Sequence, residues 1–116
     1  MGRIFSFSLI VWAVSSLTFS AHATKVETCK KSPELFCLAQ NIYFEARGEP
    51  LLGKIAVGHV VLNRVADKRF PGHVCKVIQQ GGNRRLHRCQ FSWWCDGKSD
   101  DPQDVKAWYE AVFVAH

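Results

Sequence analysis

Glu45 is the residue whose type and position are best suited to proton chemistry. It extends an apolar pattern at helical spacing, which is formed by Leu35, Leu38 and Ile42. The Gly48-Glu49-Pro50 segment predicts that this helix ends just beyond Glu45. Partial burial on an inward face and the negative end of the helix dipole would both raise the pKa of the carboxyl, as a general acid requires. Arg47 would lower that pKa if its guanidinium reached Glu45.

The same stretch allows other interpretations. Spacing alone also fits an ordinary surface glutamate before a turn. Glu49 is the nearest second carboxylate, but the helix stop at 48–50 leaves its direction undefined. Tyr43 either orients Glu45 or packs in the core.

Helices are predicted to position these groups. The first runs over about 33–47, with Ser32 as its N-cap. The second, over 50–65, is apolar on nearly all sides, so we expect it to be the central helix. A short third helix is expected at 73–80, and residues 83–98 suggest a compact hairpin or loop.

The last helix is predicted to be capped by Asp101-Pro102. Its expected buried face consists of Val105, Trp108, Tyr109, Val112 and Phe113. These elements predict a mainly α fold with a minor β hairpin.

Residues 1–23 have the pattern of a secretory signal peptide. Arg3 supplies the positive charge of a short N-terminal region, Ile4 to Phe19 forms a mostly apolar segment, and Ala21-His22-Ala23 matches a signal-peptidase cleavage site. The apolar run is short for a membrane span, which needs roughly 20 residues; an uncleaved N-terminal anchor is the alternative. The chain then divides into a signal peptide at 1–23, a polar leader at 24–32 and one domain at 33–116.

The five cysteines all follow the signal segment, and export would favour disulfides among them. Cys89 and Cys95 bracket a short loop and are a candidate local pair. Cys29 with Cys37 or Cys75 is a guess, because spacing does not fix connectivity. Five is an odd number, so at least one thiol is free or pairs between chains.

The net charge of +5 would draw the chain to polyanions, although charge alone equally fits a protein without such a partner. Lys68-Arg69 and Arg84-Arg85 are pairs rather than a long basic stripe, so no nucleic-acid partner is expected. No helix is both exposed and cationic on one face, which argues against an antibacterial protein that acts on membranes. We expect no stable membrane insertion once the signal is cleaved; the oligomeric state is not predicted.

From about Leu38 to the C-terminus, the chain resembles the SleB/CwlJ-type cell wall hydrolase family. The segments that carry the resemblance, in order, are Tyr43-Phe44-Glu45-Ala46-Arg47-Gly48-Glu49, Gly53, Ala56-Val57, Val61-Leu62-Asn63-Arg64-Val65, Phe70-Pro71, Val74-Cys75, Cys89-Gln90-Phe91-Ser92 and Cys95-Asp96-Gly97. The resemblance implies a small, mostly helical lysozyme-like domain with a minor β element. Together with the signal segment it predicts a secreted or periplasmic protein, for which no cofactor and no metal are expected. Family members typically continue past the last helix into a loop containing Tyr-His, so a chain ending at His116 is expected to have a shorter cleft wall.

The resemblance also implies the reaction, which is cleavage of peptidoglycan between N-acetylmuramic acid and N-acetylglucosamine. Glu45 matches the catalytic glutamate of the family. A lytic transglycosylase needs only this residue, whereas an N-acetylmuramidase needs a second carboxylate, for which Glu49 is the candidate. The expected substrate contacts are Tyr43, Asn63, Gln90, Phe91, Ser92 and Trp93.

Two rival interpretations belong to other classes of protein. A wall-binding protein could keep the fold without turnover. A small zinc module could use His73, Cys75, His87, Cys89 and Cys95, although these form no CxxC pair and an oxidising compartment favours disulfides.

Overall fold

The computed structural model of the chain describes residue 25, residues 27–82 and residues 88–116. Its main helices are α1 (Pro33–Ala46), α2 (Leu51–Ala66), α3 (Val74–Ile78), a 3-10 helix (Ser92–Cys95) and α4 (Val105–Ala115). Residues 27–31, within the predicted polar leader, are also helical. The predicted signal peptide at 1–23 lies outside the described residues.

The mainly α class is confirmed, but the minor β hairpin is not found, since the described ranges contain no strand. Part of the expected hairpin segment forms the 3-10 helix instead. A disulfide between Cys89 and Cys95 closes this segment into a tight turn, and Trp94 N donates to Phe91 O at 3.2 Å. Residues 83–87 lie outside the described part of the chain.

The central element is α1, which packs against α2, α3 and α4. Its start follows the predicted local signals, because Ser32 Oγ accepts a hydrogen bond from Leu35 N and Pro33 opens the first turn. Its inward face is closed to solvent and comprises Leu38, Ala39, Asn41, Ile42, Tyr43 and Ala46.

The prediction that α2 is the central helix is wrong. Only Lys54, Gly58 and Val61 are buried on it, and several large apolar side chains remain exposed, namely Leu51, Leu52, Val60 and Leu62. The physical reason is that α2 meets its neighbours along one side only. There Gly58 faces Ile42 of α1, at a spacing where a Cβ would make ordinary contact.

A partly buried ion pair joins α2 to α4. Lys54 is only 7% exposed, and its Nζ lies 2.6 Å from Glu110 Oε2. The ammonium group lowers the pKa of Glu110 through this hydrogen bond and its charge. The pair explains how a lysine can be buried in the middle of an apolar helix without an unpaired charge.

The last helix begins later than predicted, and its buried face differs in part from the predicted one. Asp104, not Asp101-Pro102, is its N-cap, and Asp104 Oδ1 accepts from Ala107 N at 3.0 Å. The buried face consists of Ala107, Ala111 and Val112, while Val105, Tyr109 and Phe113 are exposed. Small alanines occupy the close contact of α4 with α1. Trp108 of the predicted face is half-buried and packs edge-on against Phe36 and Tyr43 of α1, so the prediction holds for Val112 and in part for Trp108.

Two disulfides fix the fold. The Cys89–Cys95 pair forms as predicted, and Cys37 of α1 pairs with Cys75 of α3. The guessed pairing of Cys29 is therefore wrong, because Cys29 is a free thiol. It is fully buried between α1 and α4, against Ala39 and Val112. No helix of the described residues is long and apolar enough to cross a membrane.

Candidate active site

A cleft of about 380 Å³ opens beside the C-terminal end of α1. One wall is the last turn of that helix, and the other is the 3-10 helix with the loop that follows it. Its charged lining residues are Glu45, Arg47, Asp96 and Lys98, and the remaining lining residues are Phe44, Ser92, Trp93 and Ser99. The cleft thus combines carboxylates, cations, hydroxyls and aromatic faces.

Glu45 stands at this cleft with an exposed side chain, not on the inward face that the spacing predicted. The inward positions of this last turn belong to Tyr43 and Ala46, which are both 1% exposed. Partial burial of the Glu45 carboxyl nevertheless raises its pKa. The raised pKa favours the protonated form, which is the form a general acid needs.

Arg47 does not oppose this shift. Its Nη1 donates to Tyr43 Oη at 2.9 Å, and its guanidinium lies over the Tyr43 ring, 5.1 Å from the centroid. On a helix, positions four apart share a side, whereas positions two apart do not. Arg47 therefore pairs with Tyr43 and not with Glu45.

A stacked pair of aromatic side chains connects the two walls of the cleft. The rings of Phe44 and Trp93 lie nearly parallel, with centroids 4.7 Å apart, and Trp93 Nε1 donates to the buried Asn41 Oδ1 at 2.9 Å. These contacts fix the 3-10 helix against α1. Trp93 is buried and Trp94 only partly so. Ser92 is exposed beside them at the cleft.

The structure brings only part of the predicted site together. Ser92 and Trp93 line the cleft with Glu45, whereas the other predicted contacts do not. Tyr43 and Phe91 are buried in the core, and the remaining two, Asn63 and Gln90, are exposed outside the cleft. Glu49 is also exposed and is not among the lining residues.

Sequence reasoning gave no role to Asp96, which is the second carboxylate of the cleft lining. Its Oδ1 accepts from Lys98 N at 2.8 Å, which orients the side chain within the loop. The glycine in the Cys95-Asp96-Gly97 segment was a sequence signal for a tight turn, because glycine readily adopts a positive φ. In the structure Gly97 has a φ of 77°.

Comparison with known proteins connects this geometry to a family. A family model described as Cell Wall Hydrolase matches residues 48–115, which is more than half of the chain. The chain belongs to the cell wall hydrolase family. The resemblance to SleB/CwlJ-type cell wall hydrolases is thereby confirmed. The match includes the Ser92–Ser99 side of the cleft and begins three residues after Glu45.

The chain is also similar to curated proteins named spore cortex-lytic enzyme. It is 43% identical over 56 residues to that of Halalkalibacterium halodurans, covering 48% of the chain and 17% of the relative. It is 42% identical over 55 residues to that of Bacillus cereus (47% and 21%) and 51% identical over 41 residues to that of Bacillus subtilis (35% and 13%). The chain thus spans about a fifth or less of these relatives, and no solved structure matches it.

Three of the predicted zinc ligands are not free to bind a metal. Cys75, Cys89 and Cys95 are all in disulfides. His87 lies outside the described residues, and among those described no group of three His, Cys, Asp or Glu side chains could hold a metal ion.

Tyr43 links the cleft to α4. Its hydroxyl oxygen accepts from the backbone N–H groups of Gln103 and Asp104, at 3.1 and 2.9 Å, in addition to Arg47. Burial alone would raise the pKa of Tyr43, but these donors outweigh it and the pKa is lowered. Tyr43 is therefore a positioning residue for Arg47 and for the start of α4.

Replacing Tyr43 with Phe should lower the free energy of unfolding by about 2 kcal/mol, because it leaves backbone donors near the α4 N-cap without their acceptor. Urea unfolding measures this change. Tyr109→Phe removes the same oxygen from an exposed ring of α4 and should shift the free energy by less than about 0.5 kcal/mol. Equal shifts for the two variants would contradict the role assigned to Tyr43.

Proposed function

We propose that this cell wall hydrolase cleaves the glycan strand of peptidoglycan between N-acetylmuramic acid and N-acetylglucosamine. The observation that carries the proposal is Glu45, a carboxyl with a raised pKa at an open cleft that has aromatic and hydroxyl-bearing walls. N-acetyl sugars present an apolar ring face and polar edges, which such walls suit.

The proposed route is that of a lytic transglycosylase. The Glu45 carboxyl donates its proton to the glycosidic oxygen as the bond to the muramic C1 breaks. The resulting carboxylate then takes the proton of the muramic C6 hydroxyl, whose oxygen bonds to C1. The products are a new 4-hydroxyl end and a 1,6-anhydro end, and Glu45 is again protonated. One carboxyl acts in turn as acid and base, so no second carboxylate is required.

A hydrolytic route is the second candidate, and the position of Asp96 favours it. Asp96 and Glu45 line the same cleft from opposite walls, which is the arrangement that glycoside hydrolysis uses. In this route Glu45 again protonates the leaving oxygen, while Asp96 activates a water that attacks C1. The product is then a reducing end. Glu49, which the sequence suggested for this role, is outside the cleft lining.

Mass spectrometry of the released muropeptides distinguishes the two routes. The full chain, expressed with its own N-terminal segment, is incubated with purified peptidoglycan beside an Asp96→Asn variant. We expect anhydro ends from both proteins. Reducing ends that disappear in Asp96→Asn would replace the transglycosylase route with hydrolysis. No release by either protein, with retention on the peptidoglycan, would favour the wall-binding interpretation.

Export to the cell envelope is part of the proposal. The signal-like pattern at 1–23 and the two disulfides both fit an oxidising compartment outside the cytoplasm. Recovery of the chain from the envelope with Met1 still in place would contradict cleavage of the signal.

A further inference from the structure

Arg47 is a cation of the cleft that has no carboxylate partner within the part of the chain that the structure describes. The ion pairs there join Lys31 to Glu27, Lys54 to Glu110 and Arg69 to Asp67. Among the described residues, Arg47 makes one side-chain hydrogen bond and one cation–π contact, both with Tyr43. A neutral hydroxyl satisfies one of its five N–H donors, so the charge is left for a ligand.

The contacts with Tyr43 restrain this guanidinium. Tyr43 is 1% exposed, and its hydroxyl is fixed by the N–H groups of Gln103 and Asp104. Arg47 itself is exposed at the cleft. A planar guanidinium held in one place has lost its side-chain entropy in advance, which favours paired hydrogen bonds to a carboxylate.

The charge balance of the cleft favours an anion as well. While Glu45 carries the proton that an acid must hold, the lining has one carboxylate, Asp96, and two cations, Arg47 and Lys98. A substrate carboxylate would therefore meet a net positive wall.

We infer that Arg47 binds a carboxylate carried by the muramic acid residue of the substrate. This inference rests on the proposed function and specifies which chemical group the cleft recognises. In peptidoglycan the carboxylate has two sources, the lactyl group of a peptide-free muramic acid and the peptide stem attached to that group.

Three forms of one peptidoglycan preparation test the inference. They are intact sacculi, sacculi whose carboxyl groups have been converted to amides, and strands from which an amidase has removed the peptides. The full chain is compared with Arg47→Gln, Arg47→Lys and the control Arg69→Gln. The control removes the same charge from an exposed arginine outside the cleft lining.

On intact sacculi we expect Arg47→Gln to lower kcat/KM by about 10-fold, mainly through KM, because it loses a charge-assisted contact. On amidated sacculi the difference from the wild type should fall within about two-fold. Arg47→Lys should be intermediate, since it keeps the charge but not the planar fork. Arg69→Gln should match the wild type on every substrate.

The peptide-free strands identify the source of the carboxylate. In intact sacculi the lactyl carboxyl is bonded to the stem, so a 10-fold difference that disappears on the peptide-free strands assigns the carboxylate to the stem. A difference that appears only on the peptide-free strands assigns it to the lactyl group that the amidase frees. An equal loss on intact and amidated sacculi would overturn the inference and give Arg47 a purely structural role. A wild-type protein that cleaves none of the three substrates would instead overturn the proposed function.

Discussion

Replacing Glu45 with Gln is expected to slow glycan-strand cleavage by a factor of about 10³, with the fold retained. The amide cannot supply a proton to the leaving oxygen, so the barrier rises at bond breakage. No structural contact is lost, because Glu45 is exposed and forms no ion pair with the described residues. The rate of muropeptide release measures the effect.

Glu49→Gln is the matched comparison, because it makes the same chemical change four residues further along the chain. Glu49 is exposed and is not among the cleft residues, so we expect a rate within about two-fold of the wild type. The assignment of Glu45 as the acid fails if Glu45→Gln remains active. An equal loss in both variants would give Glu49 the role that the sequence suggested.

The Glu45→Gln variant should also change the pH dependence of stability. Because burial raises the pKa of Glu45, the folded state holds this proton more tightly than the unfolded chain does. Ionisation therefore costs stability as the pH rises above the ordinary value of 4.5. The amide side chain of the variant cannot ionise, so the variant should be slightly more stable than the wild type at pH 7 and equal to it near pH 3.

Removing the Cys37–Cys75 disulfide, as Cys37→Ala/Cys75→Ala, is expected to lower the free energy of unfolding by about 4 kcal/mol. The cross-link closes a stretch with a sequence separation of 38 residues and joins α1 to the short helix α3. Its loss restores much of the chain entropy of the unfolded state. Without it, α3 keeps a cap to α1, since the Glu34 carboxylate accepts a hydrogen bond from Val74 N.

The second disulfide provides the control for this prediction. Cys89 and Cys95 are six positions apart in the sequence, so Cys89→Ala/Cys95→Ala should cost only about 2 kcal/mol by the same entropic argument. Urea unfolding of the two double variants at low temperature gives both values. A larger loss for the short loop would show that native contacts, and not loop length, determine the stabilisation.

Local signals in the sequence were enough to predict where α1 begins, because Ser32 and Pro33 act within one turn. They could not predict which helix is central. The apolar residues of α2 surround its axis, and only the packing partners determine that Val61 is buried while Leu52 is exposed. Burial is a property of the assembled helices, so an all-round apolar pattern did not reveal it.

The candidate site could likewise be predicted only in part from the sequence. Glu45 could be found from the stretch that contains it. Glu45 was also the only partner considered for Arg47, although helical spacing favours Tyr43, four residues away. The approach of Asp96 to the cleft depends on the contact of Trp93 with Phe44, residues 49 positions apart in the sequence. Nothing local to Asp96 predicts that contact.

The buried thiol of Cys29 is expected to determine whether the unfolding of this protein is reversible. Burial raises its pKa and hides it from the two disulfides, so the folded protein is protected from thiol–disulfide exchange. Unfolding releases a reactive thiolate into a chain that carries four oxidised cysteines, and exchange then scrambles their pairing. Thermal inactivation should consequently become irreversible as the pH rises toward the ordinary thiol pKa. Acidic buffer, or Cys29→Ala, is needed for reversible unfolding experiments.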